Sequence, residues 1–322
     1  MKKISRREFL KTAGSWLAGM ILGVYKSKVY ASGKYLSQFK KAKDVKAAAK
    51  PAAGTGYSLS VITGNDPAQN VRMAVEPLGT MKQFVKPGNI VVVKPNMSWD
   101  RTPEQAANTD PGVVKEVVKM CFEAGAKKVK IFDRCCSNDQ RAYKNSGVAD
   151  AAREAGADVF HVDEWNFVNA EFDYKSPLEG WPLYRDAVTA DCFINLPVLK
   201  HHRLTGLTLS MKNLMGIMGG VRGEVHWNIH EKLVHVTDYI SPSLTIIDAT
   251  RVLMANGPSG GNLEDVKIFN TIIAGIDPVL VDSEAARLVG KDPMSIGYIK
   301  EGKKFGLGNI VVEERSVFRK KV

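Results

Sequence analysis

Ile90-Val91-Val92-Val93-Lys94-Pro95-Asn96 is the stretch on which the fold turns. Four consecutive β-branched residues cannot alternate between a wet and a dry face. Both faces of such a strand have to be covered, as they are in a parallel sheet lying between helices. Working outward, Asp110-Pro111 opens a helix with a capping carboxylate and a proline in its first turn. Val113, Val114, Val117, Val118 and Phe122 give that helix an apolar face, and Gly125 stops it. The strand Val129-Lys130-Ile131-Phe132 follows and ends at Asp133; a further helix reaches Ala155-Gly156 and leads into Asp158-Val159-Phe160-His161. Two helices thus close on Ala-Gly-Ala (Ala124-Gly125-Ala126 and Ala155-Gly156-Ala157), the turn chemistry of a doubly wound layer structure.

The same alternation extends both ways. Leu59 to Ile62 reads as a strand and Ala68 to Leu78 as a helix. Residues 164–185, with Trp165, Phe167, Trp181 and Pro182, read as an irregular excursion or hairpin. Cys192 to Pro197, Ser243 to Asp248 and Ile268 to Ala274 read as strands, and Asp277-Pro278 to Val289 as a helix. The expectation is an α/β fold: a mostly parallel layered sheet with helices on both faces and a strand-rich second half, one domain over residues 57–322.

In open α/β sheets ligands bind beyond the carboxyl ends of the strands, so the residues just after each strand are the candidates for chemistry. Here they are Lys94 and Asn96, Asp133, Asn195 followed by Lys200 and His202, and Asp248. Lys212 and Asn213 stand between glycines in the amphipathic segment Thr205 to Gly216. Lys94, Lys200 and Lys212 together would hold a carboxylate or phosphate, and a desolvated lysine would serve as base or nucleophile. Each of Lys94 and Lys200 alone could also simply cover the sheet rim. Two glycine-rich loops, Gly219 to Gly223 and Asn256-Gly257-Pro258-Ser259-Gly260-Gly261, offer backbone donors that could cradle an anion. Neither matches a P-loop or a dinucleotide fingerprint. His226 and His230 share one face if their stretch is helical, which is half of a divalent-metal site, with Glu224, His202 or Asp248 to complete it. The other reading is two histidines beside a substrate pocket.

The net charge of +11 suggests a nucleic-acid or membrane partner, but its distribution removes that reading. Residues 1–56 hold thirteen of the 45 basic and two of the 34 acidic residues, so residues 57–322 carry 32 of each sign. A neutral domain lacks the cationic stripe that nucleic acid requires. Cys121, Cys135, Cys136 and Cys192 include no Cys-x-x-Cys, so the chain has no iron–sulfur motif and no structural zinc motif. Cys121 and Cys192 read as buried hydrophobes, whereas Cys135 and Cys136, after a strand end, are open to a redox or ligand role.

Ser5-Arg6-Arg7-Glu8-Phe9-Leu10-Lys11, a short apolar stretch from Thr12 to Tyr25, and Val29-Tyr30-Ala31 have the layout of a twin-arginine signal peptide over residues 1–31. The middle is too short and too glycine-rich for a comfortable membrane span. The expected location is the periplasm, with the twin-arginine translocase as partner during export. The alternative is anchorage to the inner membrane by an uncleaved leader. Residues 32–56, rich in Lys and Ala, read as a solvated linker.

With these residues assembled, the chain resembles the family of domain of unknown function 362, in particular its exported twin-arginine branch. The resemblance runs from Val61 to Pro293. It rests on Lys94-Pro95-Asn96, Thr109-Asp110-Pro111, Gly125-Ala126, Asn195-Leu196-Pro197-x-x-Lys200-x-His202, and Thr208 with Lys212-Asn213-Leu214-Met215-Gly216. His226 and His230, Asp248-Ala249-Thr250-Arg251, Asn256-Gly257-Pro258-x-Gly260-Gly261 and Asp277-Pro278-x-x-x-Asp282 complete it. Many relatives append a ferredoxin-like cluster domain, and this chain departs from them in having none. The layout is also similar to the amino-terminal domain of nickel-pincer lactate racemases, a likeness of fold. The resemblance implies a fold rather than a reaction. The expected activity is that of an enzyme or cofactor-dependent protein acting on a small anionic ligand, with a divalent metal as a candidate assistant. Lys94, Lys200, His202 and Lys212 would be catalytic, and Asn96, Asn195, Asn213, Asp248, Asn256, Gly257, Gly260 and Asp277 would bind the ligand. The alternative is a non-catalytic metal- or cofactor-binding or maturation accessory protein linked to redox (iron–sulfur) systems, with a redox partner protein.

Overall fold

A computed structural model describes residues 56–322. The expected leader, and the expected linker up to its last residue, lie outside the described residues. The strands are β1 (Leu59–Thr63), β2 (Ile90–Pro95), β3 (Lys128–Ile131), β4 (Asp158–Val159), β5 (Phe167–Asn169), β6 (Pro182–Tyr184), β7 (Cys192–Leu196), β8 (Val198–His202), β9 (Gly206–Thr208), β10 (Leu244–Leu253), β11 (Val266–Gly275) and β12 (Val317–Lys321). The main sheet runs β12-β1-β11-β10-β7-β2-β3-β4. From β10 to β4 every neighbour is parallel. β11 is antiparallel to both β10 and β1, and β12 returns parallel to β1. The sheet is therefore mostly parallel in its first half and mixed in its second.

Residue alternation explains why the strands are apolar on both sides. Val91 and Val93 enter one core with Val113, Val117 and Val71, while Val92 enters the other with Phe193, Leu233 and Tyr298. Helices Pro67–Val75, Pro111–Glu123 and Val148–Glu154 supply the first core; helices Ile229–Ile240, Pro278–Leu288 and Gly297–Phe305 supply the second. Each buried Val or Leu contributes about 1.5–3 kcal/mol, which is why neither layer can be wetted without losing the sheet. No helix among the described residues is long and apolar enough to cross a membrane.

Helix Pro111–Glu123 starts as its sequence predicts: Asp110 Oδ1 accepts from Gly112 N at 2.8 Å and Val113 N at 3.3 Å. It ends at Gly125, whose φ of +100° suits glycine and whose missing Cβ would lie 3.1 Å from Pro87 Cα. Elsewhere the outlines differ. The helical stretch before Ala155 is two helices, Asp139–Asn145 and Val148–Glu154, parted by Gly147 at φ +70°. The excursion over 164–185 carries the antiparallel pair β5–β6. β10 continues to Leu253, past the expected end at Asp248, because a bulge between Ala249 and Arg251 lets it keep its pairing with β11.

One crossing positions the site. β7 pairs with β10 at Asn195 opposite Thr245, the chain passes Pro197, and β8 then pairs with β10 further along, Val198 opposite Asp248. β9 folds back on β8 with Thr208 opposite Lys200. This hairpin raises a wall beyond the carboxyl ends of β2 and β7, and helix Ser210–Asn213 follows directly.

Candidate functional site

Lys94 stands next to last in β2, with its side chain wholly buried. Its Nζ pairs with Asp133 Oδ1 at 2.8 Å and donates to Pro95 O at 2.7 Å and Asn213 Oδ1 at 3.0 Å. An ammonium has three N–H groups, so it is saturated. Asp133 Oδ2 accepts from Met97 N and Ser98 Oγ, each at 2.9 Å. Burial lowers the Lys94 pKa and the Asp133 carboxylate opposes the change. Gly216 lies directly over the pair: a Cβ there would stand 1.8 Å from Asp133 Oδ1 and 2.6 Å from Lys94 Nζ.

Asn213 links this floor to the layer above. Its Oδ1 also accepts from Asn96 Nδ2 at 3.3 Å, and its Nδ2 donates to Lys94 O at 3.0 Å and Asn195 Oδ1 at 2.9 Å. Asn195 Nδ2 donates in turn to Ser210 O at 2.8 Å. Asn96 Oδ1 accepts from Lys200 Nζ at 3.2 Å, and Lys200 donates also to Ala107 O. Burial, with Lys212 and Lys94 pushing the same way against Cys136 and Asp133, brings the Lys200 pKa down to about 7.

Above this network lies a cavity of about 250 Å³, whose ionisable lining is Lys200, Lys212, Arg222, His202, His226 and Cys136. Among the described residues no Asp or Glu lines it. Asn96, Asn213, Ser98 and Thr208 add neutral polar groups, and Trp99, Met215, Gly216 and Pro258 complete the wall. Lys212 is nearly buried, and the acceptor that its Nζ meets is the thioether of Met215 at 3.4 Å. Burial, with Arg222 assisting and Cys136 opposing, brings its pKa to about 8. Its turn is fixed from below by Asp282, which accepts from Ser210 N at 2.7 Å and Met211 N at 3.2 Å. Burial of Asp282 raises its carboxyl to about 7.

His202 Nδ1 accepts from Leu204 N and Thr205 N, each at 3.2 Å. An imidazole accepting at Nδ1 carries its proton on Nε2. Burial first, then the charges of Lys212 and Lys200, lower its pKa to about 3, so it is a neutral donor at physiological pH. Thr208 Oγ1 is buried in this lining and has no hydrogen-bond partner among the described residues. The Arg222 guanidinium is steadied by Arg134 O at 2.9 Å.

Other candidates lie elsewhere, and each is engaged by the framework. Asp248 Oδ2 accepts from Asp110 N at 2.7 Å and its Oδ1 from Thr250 N and Oγ1, so it holds the start of helix Pro111–Glu123. Asp277 caps helix Pro278–Leu288 through Leu280 N and takes Asn309 N at 2.8 Å. Asn256 Nδ2 donates to Asp265 at 2.8 Å. The Gly257 N–H is spent on His201 Nδ1 and the Gly260 N–H on Asn256 O, so neither is free for an anion; of that loop Pro258 alone lines the cavity. Gly257 is glycine because a Cβ would fall 2.0 Å from His201 O. In the other glycine-rich loop it is the Arg222 side chain that reaches the cavity.

His226 and His230 do not share a helical face. Asn228, at φ +55°, separates helix Arg222–Val225 from helix Ile229–Ile240. His226 lines the cavity, while His230 packs on Gly297 and Tyr298. Among the described residues no three His, Cys, Asp or Glu side chains stand so as to hold a metal ion. Cys121 and Cys192 are buried, Cys135 donates to Met97 O at 3.0 Å, and Cys136 is exposed at the cavity wall. Ser98 and Trp99 were not legible as site residues in the sequence, although Ser98 follows a strand end by a few positions; Cys136 was legible only as open to a redox or ligand role, Arg222 only as part of a glycine-rich loop, and Thr208 only through the family resemblance.

A family model described as a domain of unknown function (DUF362) matches residues 91–287. A Synechocystis sp. protein described as thylakoid-associated is 27% identical over 253 residues, 76% of each chain. Among solved structures, the lactate racemase apoprotein of Thermoanaerobacterium thermosaccharolyticum is similar with a TM-score of 0.43 at 16% identity, over 78% of this chain and 57% of that one. A Thermotoga maritima protein gives 0.40 at 13% identity, over 74% and 60%. The chain thus spans less than two thirds of the length of either structure.

Proposed function

The chain belongs to the family described as domain of unknown function 362, and from that premise we propose that it binds a small anion, a carboxylate or phosphate, in the cavity over Lys94 and acts on it as an enzyme. One observation carries the reading: every permanently or conditionally charged side chain in the lining other than the Cys136 thiol is cationic, and among the described residues no carboxylate lines the cavity. Lys200 and Arg222 supply charge, Asn96 a directional bond from its second Nδ2–H, and His202 an Nε2–H donor, while Asn213, with both N–H groups taken, positions Asn96. The volume, about 250 Å³, is below the roughly 300–1,000 Å³ of pockets for drug-sized ligands, which favours a small molecule.

The pH dependence has a definite sign. Lys200 and Lys212, at about 7 and about 8, are charged below those values and neutral above them. An anion favours their protonated forms, so binding takes up protons when the pH exceeds either value. Calorimetric titration with oxalate or phosphate should therefore give an affinity at least about tenfold weaker at pH 9 than at pH 6.5. Absence of binding at both values, or equal affinity at both, would remove the proposal.

Export to the periplasm belongs to the same reading. The motif Ser5-Arg6-Arg7-Glu8-Phe9-Leu10-Lys11 supports passage through the twin-arginine translocase, which carries folded proteins. Replacing both Arg6 and Arg7 by Lys should leave the protein in the cytoplasmic fraction. An unchanged distribution between fractions would refute export by that route.

A further inference from the structure

The three lysines are not equivalent, and their difference points past anion binding. Lys94 spends all its donors on Asp133, Pro95 and Asn213. Lys200 is tied to Asn96 and Ala107. Lys212, in the same cavity, meets only a thioether sulfur among the described residues, a weak acceptor that offers a charge almost nothing. If this chain needed only to neutralise an anion, Lys200 and Arg222 would suffice. A third amine kept nearly dry, with no carboxylate and no oxygen partner, is placed to lose its proton and use the lone pair. The Thr208 hydroxyl, buried in the same lining without a partner, and the His202 Nε2–H are further polar groups aimed at whatever lies beside it.

Resting on the anion-site reading above, we infer that Lys212 is a nucleophile and that its substrate is a small carboxylate bearing a ketone or aldehyde, which it holds as an imine. The neutral Nζ attacks the carbonyl carbon, forming a C–N bond while the carbonyl oxygen takes up a proton. The resulting carbinolamine loses that oxygen as water: the C–O bond breaks, the nitrogen lone pair closes the C=N bond, and both amine hydrogens end in the water. Amine and carbonyl give imine and water, with no change of oxidation state and no further reactant. His202 Nε2–H and Thr208 Oγ stabilise the developing oxyanion. Lys200 relays the second amine hydrogen, passing a proton to the departing hydroxyl and recovering one from the iminium nitrogen, while Arg222 holds the carboxylate. Lys212 titrating at about 8 leaves a useful fraction of free amine near neutral pH.

The test uses the whole chain, incubated with pyruvate or glyoxylate and then borohydride, followed by peptide mapping. A parallel calorimetric titration uses oxalate, which has no electrophilic ketone or aldehyde. The expected result is a borohydride-dependent adduct on Lys212, at least about tenfold above that on any exposed lysine. It should be suppressed by oxalate and absent in Lys212→Arg. The mapping on the unaltered protein decides the matter even if the variant fails to fold. Oxalate binding without an adduct on Lys212 overturns the imine and leaves the anion site standing. Neither binding nor adduct overturns both. Label spread evenly over surface lysines, or found on Cys136, overturns the imine.

Discussion

Gly216 and Lys94 are separated by most of the sheet in sequence and by less than a side chain in space. The buried pair of Lys94 and Asp133 is worth keeping only while both charges stay fully bonded, because breaking such a pair leaves an uncompensated charge in a dry place. Gly216 is what allows the turn to lie over it. Gly216→Ala would drive a methyl into Asp133 Oδ1 and Lys94 Nζ, both held by the surrounding network. Such overpacking should cost about 1–3 kcal/mol, read as a lower urea midpoint with unchanged slope. An alanine variant as stable as the parent would mean that the turn is softer than its hydrogen bonds imply.

At the scale of elements, what could be read from sequence and what could not separate cleanly. The β-branched run Ile90 to Val93 and the Asp110-Pro111 start were legible because burial on two faces and helix capping leave local signatures. Whether a carboxylate at a strand end faces a ligand or a neighbouring backbone has no local signature. Asp248 turns toward Asp110 and Thr250, and Asp277 toward the helix it begins. The spacing of His226 and His230 is helical in number only, since Asn228 adopts a left-handed conformation between them. Arg222, Cys136 and Thr208 meet through long-range topology that no short window contains. Asp248→Ala would strand the Asp110 N–H and the Thr250 hydroxyl, at about 1–3 kcal/mol of stability. Anion affinity should stay within about threefold of the parent, since Asp248 does not line the cavity. A loss of affinity larger than the loss of stability would return Asp248 to the ligand.

For the whole molecule, the buried ionisable groups set an unusual stability profile. The Asp248 and Asp282 carboxyls are raised to about 6 and about 7, chiefly by burial. Between the ordinary carboxyl range and those values these two groups hold more protons in the folded chain than in the unfolded one, so their contribution to stability falls as pH rises toward 7, partly offset by the buried, neutral His202, whose contribution rises over the same range. Lys200 and Lys212 are lowered to about 7 and about 8. From there to the ordinary lysine range the unfolded chain binds more protons, so stability rises with pH. Melting temperatures measured from pH 4 to 10 should pass through a trough near neutrality, and Lys200→Met should flatten its alkaline flank. A monotonic fall above pH 7 would contradict the burial of that amine. The cavity wall without a single carboxylate has one more consequence, this time for the bench. On the proposed reading such a hollow would collect whatever oxyanion its surroundings supply. A preparation made in phosphate or sulfate brings its own competitor, and a screen for the natural metabolite would come back blank unless run in a zwitterionic, low-salt medium.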